Sequence, residues 1–313
     1  MGAVAFLFAG QGAQAPGMCA DLIEAEPAAA AVFEMADSVR PGTTEQCLHG
    51  TADELRLTRN TQPCVFAADL ACARALAAHG VSPVACAGFS LGEIAALAFT
   101  GAMSDVEAMA FVCLRAQLMD DVSARHPGGM RAVLKLDEGK VEELAAKAGD
   151  CWPVNYNSPA QTVVAGLPDG LDRLDVLVRE AKGRSLPVKV SGAFHSPLMT
   201  EVSASLSAYL DNHPITQPEM PVWANATAAP YEGTPARLAY VLSAQASHPV
   251  RWTRTLTGMR ASGIDTFVEV GPGHTLTGLV RHTLDGVVAL PCGTMDQLGE
   301  VLSELDTDEG TDL

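Results

Sequence analysis

The stretch Val84-Ala-Cys-Ala-Gly-Phe-Ser-Leu-Gly-Glu93 constrains this chain more than any other. A short apolar run meets Gly88-Phe-Ser-Leu-Gly92, and an alanine-rich helical pattern follows. That order predicts a buried strand, a sharp turn and a buried helix, with the serine of G-x-S-x-G at the tip of the turn. A side chain at either glycine would press on the neighbouring strand or helix. Ser90 is therefore the candidate covalent nucleophile. A rival reading exists, because Ser90-x-x-Glu93 ahead of an apolar run is also a capping box. Against it, Gly92 would weaken the first helical turn by about 1 kcal/mol relative to alanine, and a plain cap has no use for that. This segment alone leaves an esterase, a thioesterase and an acyltransferase all open.

The rest of the chain alternates in the same way. A strand at 4–9 ends in Gly10-Gln-Gly12, with helical patterns at 19–38 and 61–79. A capping box at Ser104–Glu107 opens a helix through about 121. After His126-Pro-Gly-Gly129 the rhythm changes. Strand 130–136, helix 138–148, strands 152–157 and 162–165, helix 170–181 and strand 185–190 follow the β-α-β-β-α-β order of a ferredoxin-like unit. Helices at 197–212 and 235–247, strands at 221–224 and 266–269, and a helix beyond Gly273 complete the pattern. The fold class is therefore α/β. A large α/β-hydrolase-like subdomain with a mainly parallel sheet is expected over 1–127 and 192–305. A small ferredoxin-like subdomain is expected at 128–191, and a flexible acidic tail at 306–313. At 313 residues, 48% of them hydrophobic, the chain can bury a sizeable core.

The net charge of −17 argues against nucleic acid and anionic membranes as partners. The eight cysteines show no C-x-x-C pair, which fits reduced thiols in a cytoplasmic protein better than disulfides or a metal site. No basic n-region of a signal peptide precedes Phe6, and no stretch is long and apolar enough to span a membrane.

A serine nucleophile needs a base. Of the eight histidines, His195 stands out in Ser191-Gly-Ala-Phe-His-Ser-Pro197. Ser196 can cap a helix with Pro197 at its first position. The positive end of that helix would disfavour imidazolium and keep the ring a proton acceptor. A histidine exposed on a loop is the equal alternative. The acids between Ser90 and His195, among them Asp105, Asp121 and Asp137, do not end obvious strands of the large sheet. A Ser-His pair steadied by a backbone carbonyl stays possible. On the helix from 105, Arg115 shares a face with Phe111, Leu118 and Met119. Read alone, snorkelling is the simpler account of that arginine. The other is a guanidinium in a cleft, where it would meet a carboxylate. Gly10-Gln-Gly-Ala-Gln-Ala15 loosely matches a dinucleotide-binding turn, but Pro16-Gly17 breaks the helix and the second acidic strand is missing.

Taken together, these segments resemble the malonyl-CoA:acyl-carrier-protein transacylase family over essentially the whole chain. The resemblance rests on Phe8-Ala-Gly-Gln-Gly-Ala-Gln14, Gly88-Phe-Ser-Leu-Gly-Glu93, Arg115-Ala-Gln-Leu-Met119, Asn155-Tyr-Asn-Ser-Pro159, Ala193-Phe-His-Ser196, Gln245 with Pro249-Val-Arg-Trp252, and Glu269-Val-Gly-Pro-Gly273, in family order. It implies that Ser90 carries the malonyl group and that His195 is the base. The backbone N–H groups of Gln11 and Leu91 would form the oxyanion hole. Arg115 would pair with the malonyl carboxylate, Phe194 would crowd a 2-methyl branch, and the Gln245 carbonyl would orient His195. The implied partners are malonyl-CoA and an acyl carrier protein, with no cofactor or metal and a monomeric enzyme. Acidic carrier protein would dock near Lys189, Arg251 and Arg281. Trans-acting polyketide acyltransferases and thioester hydrolases share these features. Phe89 stands where the family commonly has His, and Ala116 where it commonly has Gly.

Overall fold

The computed structural model describes residues 2–307. Two sheets organise it. The larger contains β1 (Ala3–Phe8), β2 (Ala85–Gly88), β7 (Val222–Ala224), β8 (Ala229–Pro230), β9 (Ile264–Val270) and β10 (Val288–Cys292), in the order β10-β9-β1-β2-β7-β8. All neighbours pair parallel except β7 with β8. The smaller sheet, antiparallel throughout, has the order β4-β5-β3-β6. Its strands are β3 (Gly129–Leu134), β4 (Cys151–Ser158), β5 (Gln161–Gly166) and β6 (Arg184–Pro187). Helices Glu138–Ala148 and Pro168–Glu180 connect them.

The apolar run of β1 is continuous because both faces of its sheet are covered. Phe6 and Phe8 point into one core with the long helix Thr58–Ala78, while Ala5 and Leu7 point into a second core with Trp252 and Phe267. Val133, Val141, Val164 and Leu174 form a separate core beneath the small sheet. Register then decides where the site lies. Phe8 pairs with Gly88 on one side and with Val270 on the other. The turns that follow β1, β2 and β9 therefore emerge side by side at the carboxyl edge, beside the strand where the sheet order reverses. Parallel sheets bind ligands at such a point.

Some sequence expectations need adjusting. β6 ends at Pro187, three residues early, after which the Val190 N–H bonds to Val188 rather than to a neighbouring strand. The 61–79 helix starts at Thr58, and the 197–212 helix begins as a 3₁₀ turn at Pro197–Met199. Helices Thr43–His49, Ala52–Arg56, Trp252–Ala261 and Met295–Thr307 and strands β8 and β10 were not among the predicted elements. That last helix covers the first two positions assigned to the acidic tail, and the remainder, 308–313, lies outside the described residues. No helix among the described residues is long and apolar enough to cross a membrane.

Candidate active site

The turn after β2 is as tight as its glycines suggest. A Cβ built on Gly88 would stand 2.0 Å from the Gly92 carbonyl carbon, and one on Gly92 would stand 2.3 Å from the Phe8 carbonyl oxygen. Between them Ser90 adopts φ 55°, a left-handed conformation that costs a non-glycine residue about 1–3 kcal/mol. Asn225, fully buried just beyond β7, holds it there. Its Oδ1 accepts the Ser90 N–H (2.7 Å) and its Nδ2 donates to the Gly88 carbonyl (2.6 Å). The capping-box reading fails on this geometry. Leu91 is the N-cap of helix Gly92–Phe99, and Glu93 turns away from Ser90 into the interior. By contrast, the expected box at Ser104–Glu107 forms on helix Asp105–Arg125.

His195, also left-handed at φ 59°, is buried with its Nε2 2.7 Å from the Ser90 Oγ. Its Nδ1 lies 3.0 Å from the Gln245 carbonyl oxygen. A carbonyl only accepts, so Nδ1 carries the proton and Nε2 presents its lone pair to the serine hydroxyl. Burial, with the nearby Arg115 charge, lowers the His195 pKa to about 4, which keeps the ring neutral. Ser196 does cap the following 3₁₀ turn, yet burial rather than a helix dipole dominates that depression.

Arg115 does not snorkel. It is 1% exposed, and its Nη1 donates to Gln62 Oε1 (2.7 Å). Its Nη2 donates to both Gln245 Oε1 (2.9 Å) and the Ser90 Oγ (3.1 Å). Among the described residues no carboxylate forms a salt bridge with it. Burial lowers its pKa only to about 10, so it stays cationic at neutral pH. Gln245 thus serves the site twice, its backbone oxygen on His195 and its side chain on Arg115 and on the Ser90 carbonyl (2.6 Å).

A cavity of about 200 Å³ opens over these groups. Gln11, Phe89, Ser90, Arg115, Phe194 and His195 line it, together with Asn155 and Asn157 from β4. The buried side-chain oxygens of both asparagines lack a hydrogen-bond partner. The backbone N–H groups of Gln11 and Leu91 have no acceptor among the described hydrogen bonds, and the Gln11 side chain reaches Thr58 Oγ1 (3.4 Å). Phe89 packs edge-on against Trp252, ring centroids 5.3 Å apart, at the margin of the second core. Ala116 is wholly buried. The three basic residues singled out for docking lie on different elements. Lys189 is exposed beyond β6, Arg251 bonds to the Ala226 carbonyl, and Arg281 bonds to the Ala289 carbonyl.

Gln62 and Asn225 were not recognisable as parts of the site from sequence, and Glu93 was read only as a member of the elbow motif or of a capping box. Among the described residues no cluster of side chains could hold a metal ion.

Comparison with known proteins agrees with this geometry. Residues 5–302 match the acyl transferase domain family. The malonyl CoA-acyl carrier protein transacylase of Bacillus subtilis is 34% identical over 287 residues, 90% of each chain. The crystal structure of the transacylase of that name from Clostridium perfringens superposes with TM-score 0.94 at 30% identity, covering 98% of both chains. A malonyl-transacylase solved in complex with its type II PKS acyl-carrier protein gives TM-score 0.92 at 31% identity, covering 96% of this chain and 99% of that one. The chain belongs to the malonyl-CoA:acyl-carrier-protein transacylase family of acyl transferase domains.

Proposed function

We propose that this enzyme moves a malonyl group from malonyl-CoA to the phosphopantetheine thiol of an acyl carrier protein, through a malonyl ester on Ser90. One observation carries the reading. A buried guanidinium that forms no salt bridge among the described residues stands 3.1 Å from the nucleophile, where an acyl group ending in a carboxylate would pair with it.

The steps follow from the hydrogen bonds. His195 Nε2 takes the Ser90 hydroxyl proton as Oγ attacks the thioester carbonyl. The backbone N–H groups of Gln11 and Leu91 receive the oxyanion, a contribution of about 3–4 kcal/mol per donor. The C–S bond then breaks and His195 returns the proton to the leaving CoA thiolate. Carrier thiol repeats the sequence in reverse. The Gln245 carbonyl steadies the imidazolium, so the Ser-His dyad works without a triad acid. Phe194 narrows the cavity against a 2-methyl branch. We read the body as α/β-hydrolase-like and 128–191 as a ferredoxin-like insert, a reading that the β4-β5-β3-β6 order supports. Carrier protein would approach over Lys189, Arg251 and Arg281, and charge reversal there should slow transfer to carrier but not acylation by CoA. We assign the activity to extender-unit supply for fatty-acid synthesis in the cytoplasm. A trans-acting polyketide role is the second reading, favoured by the likeness to a transacylase bound to a PKS carrier.

The test is mass spectrometry of the protein incubated with malonyl-CoA. A malonyl adduct on Ser90 that discharges to carrier protein is expected. Active enzyme without the adduct would reject the mechanism, and discharge to water irrespective of carrier would make it a hydrolase.

A further inference from the structure

Glu93 is fully buried in the first turn of Gly92–Phe99, and three hydrogen bonds reach its carboxyl group. The Tyr231 hydroxyl donates to Oε1. The Asn225 backbone N–H (2.9 Å) and Gln245 Nε2 (3.2 Å) donate to Oε2. Two N–H donors and a hydroxyl suit a carboxylate, and the Tyr231 oxygen can equally accept from a protonated Glu93. The buried cation of the site, Arg115, does not touch it. A single carboxamide joins them, with Gln245 Oε1 accepting from Arg115 and Gln245 Nε2 donating to Glu93. The other titratable groups here are Tyr231, whose pKa is raised far above its usual value by burial and by Glu93, and His195, held neutral.

We propose that Glu93 is the resting counter-charge of Arg115, relayed through Gln245, and that it takes up a proton when an acyl group bearing a carboxylate occupies the site. It is a positioning residue that sets how strongly the arginine draws that carboxylate. The inference rests on the assignment of Arg115 to the acyl carboxylate made above. Its physics is electrostatic. Two buried anions would share one buried cation, so the arriving carboxylate favours the neutral form of Glu93, and neutral Glu93 equally favours the carboxylate. Burial already brings the Glu93 pKa up to about 7, so this exchange falls within an accessible pH range.

The readout is the preference for malonyl-CoA over acetyl-CoA, as a ratio of kcat/KM for Ser90 acylation. Steps common to both substrates, including those of His195, cancel in the ratio. In the wild type it should rise about 3- to 10-fold as pH falls from about 8.5 to about 5.5, corresponding to a Glu93 pKa raised by about half to one unit. In Glu93→Gln the ratio should not vary with pH. A flat wild-type ratio, or the same slope in Glu93→Gln, overturns the proposal. A second measurement does not depend on that variant folding. Calorimetry of Ser90→Ala with malonyl-CoA near neutral pH, in buffers of different ionisation enthalpy, should give net proton uptake, and acetyl-CoA should give none. Equal uptake for both ligands, or none for either, also overturns it. Failure of wild-type enzyme to acylate Ser90 from malonyl-CoA would instead reject the transfer reading and this proposal with it. Normal acylation with a flat ratio rejects the role of Glu93 alone.

Discussion

Replacing Asn225 by alanine tests whether the nucleophile is held from outside its own turn. The side chain is fully buried and satisfies two backbone groups of the elbow, the Ser90 N–H and the Gly88 carbonyl. Removing it leaves one buried donor and one buried acceptor unpaired, each worth about 1–3 kcal/mol, so a loss of about 2–6 kcal/mol in unfolding free energy is expected. The left-handed Ser90 loses the bond that offsets its strain, and the turn should relax. Misplacing Oγ by about 1 Å from His195 Nε2 should slow acylation about 100-fold. Urea unfolding gives the first number, and single-turnover malonylation followed by intact-mass spectrometry gives the second. Thr227→Ala, on the exposed turn nearby, is the control and should stay within about 0.5 kcal/mol. If Asn225→Ala is as stable as that control and acylates within about twofold of wild type, the clamp is not what holds the elbow.

Arg115→Ala should lower the preference for malonyl-CoA over acetyl-CoA about 10- to 150-fold, the worth of a charge-assisted hydrogen bond of about 1.5–3 kcal/mol, and an unchanged preference would reject the carboxylate role. His195 gives a pH signature in stability. Its folded pKa of about 4 lies below the ordinary 6.5, so stability is whole above 6.5 and is lost as pH falls towards 4. The difference in unfolding free energy between wild type and His195→Gln should therefore shrink by about 3 kcal/mol between pH 7 and 4, and pH-dependent denaturation can measure it. Gly88→Ala should be destabilising and inactive, because its Cβ would meet Gly92 backbone that has no room to move, whereas Gly299→Ala on the last helix meets nothing and should fold normally. Circular dichroism melts and adduct formation would separate the two.

Short-range physics made much of this protein readable in its residues. The glycine spacing around Ser90 requires a tight strand-to-helix turn whatever lies beyond it. The alternation of apolar runs and helical periods requires an α/β arrangement, and the change of rhythm after Gly129 marks a second sheet. Weakly periodic pieces such as Thr43–His49 and β10 escaped notice, because tertiary packing rather than propensity holds them. The resemblance to a family named Ser90, His195, Arg115 and Gln245, but residue pattern alone left a loop histidine and a snorkelling arginine as equal or simpler accounts. Tertiary structure decided between them, since only the packed chain brings Nε2 within 2.7 Å of Oγ and buries the guanidinium. It alone disclosed the contacts of Gln62, Glu93 and Asn225, which act across sequence separations of 53 to 152 positions. A hydrogen bond depends on position in space, and folding sets that position through sheet register and burial, neither of which is a local property of the sequence.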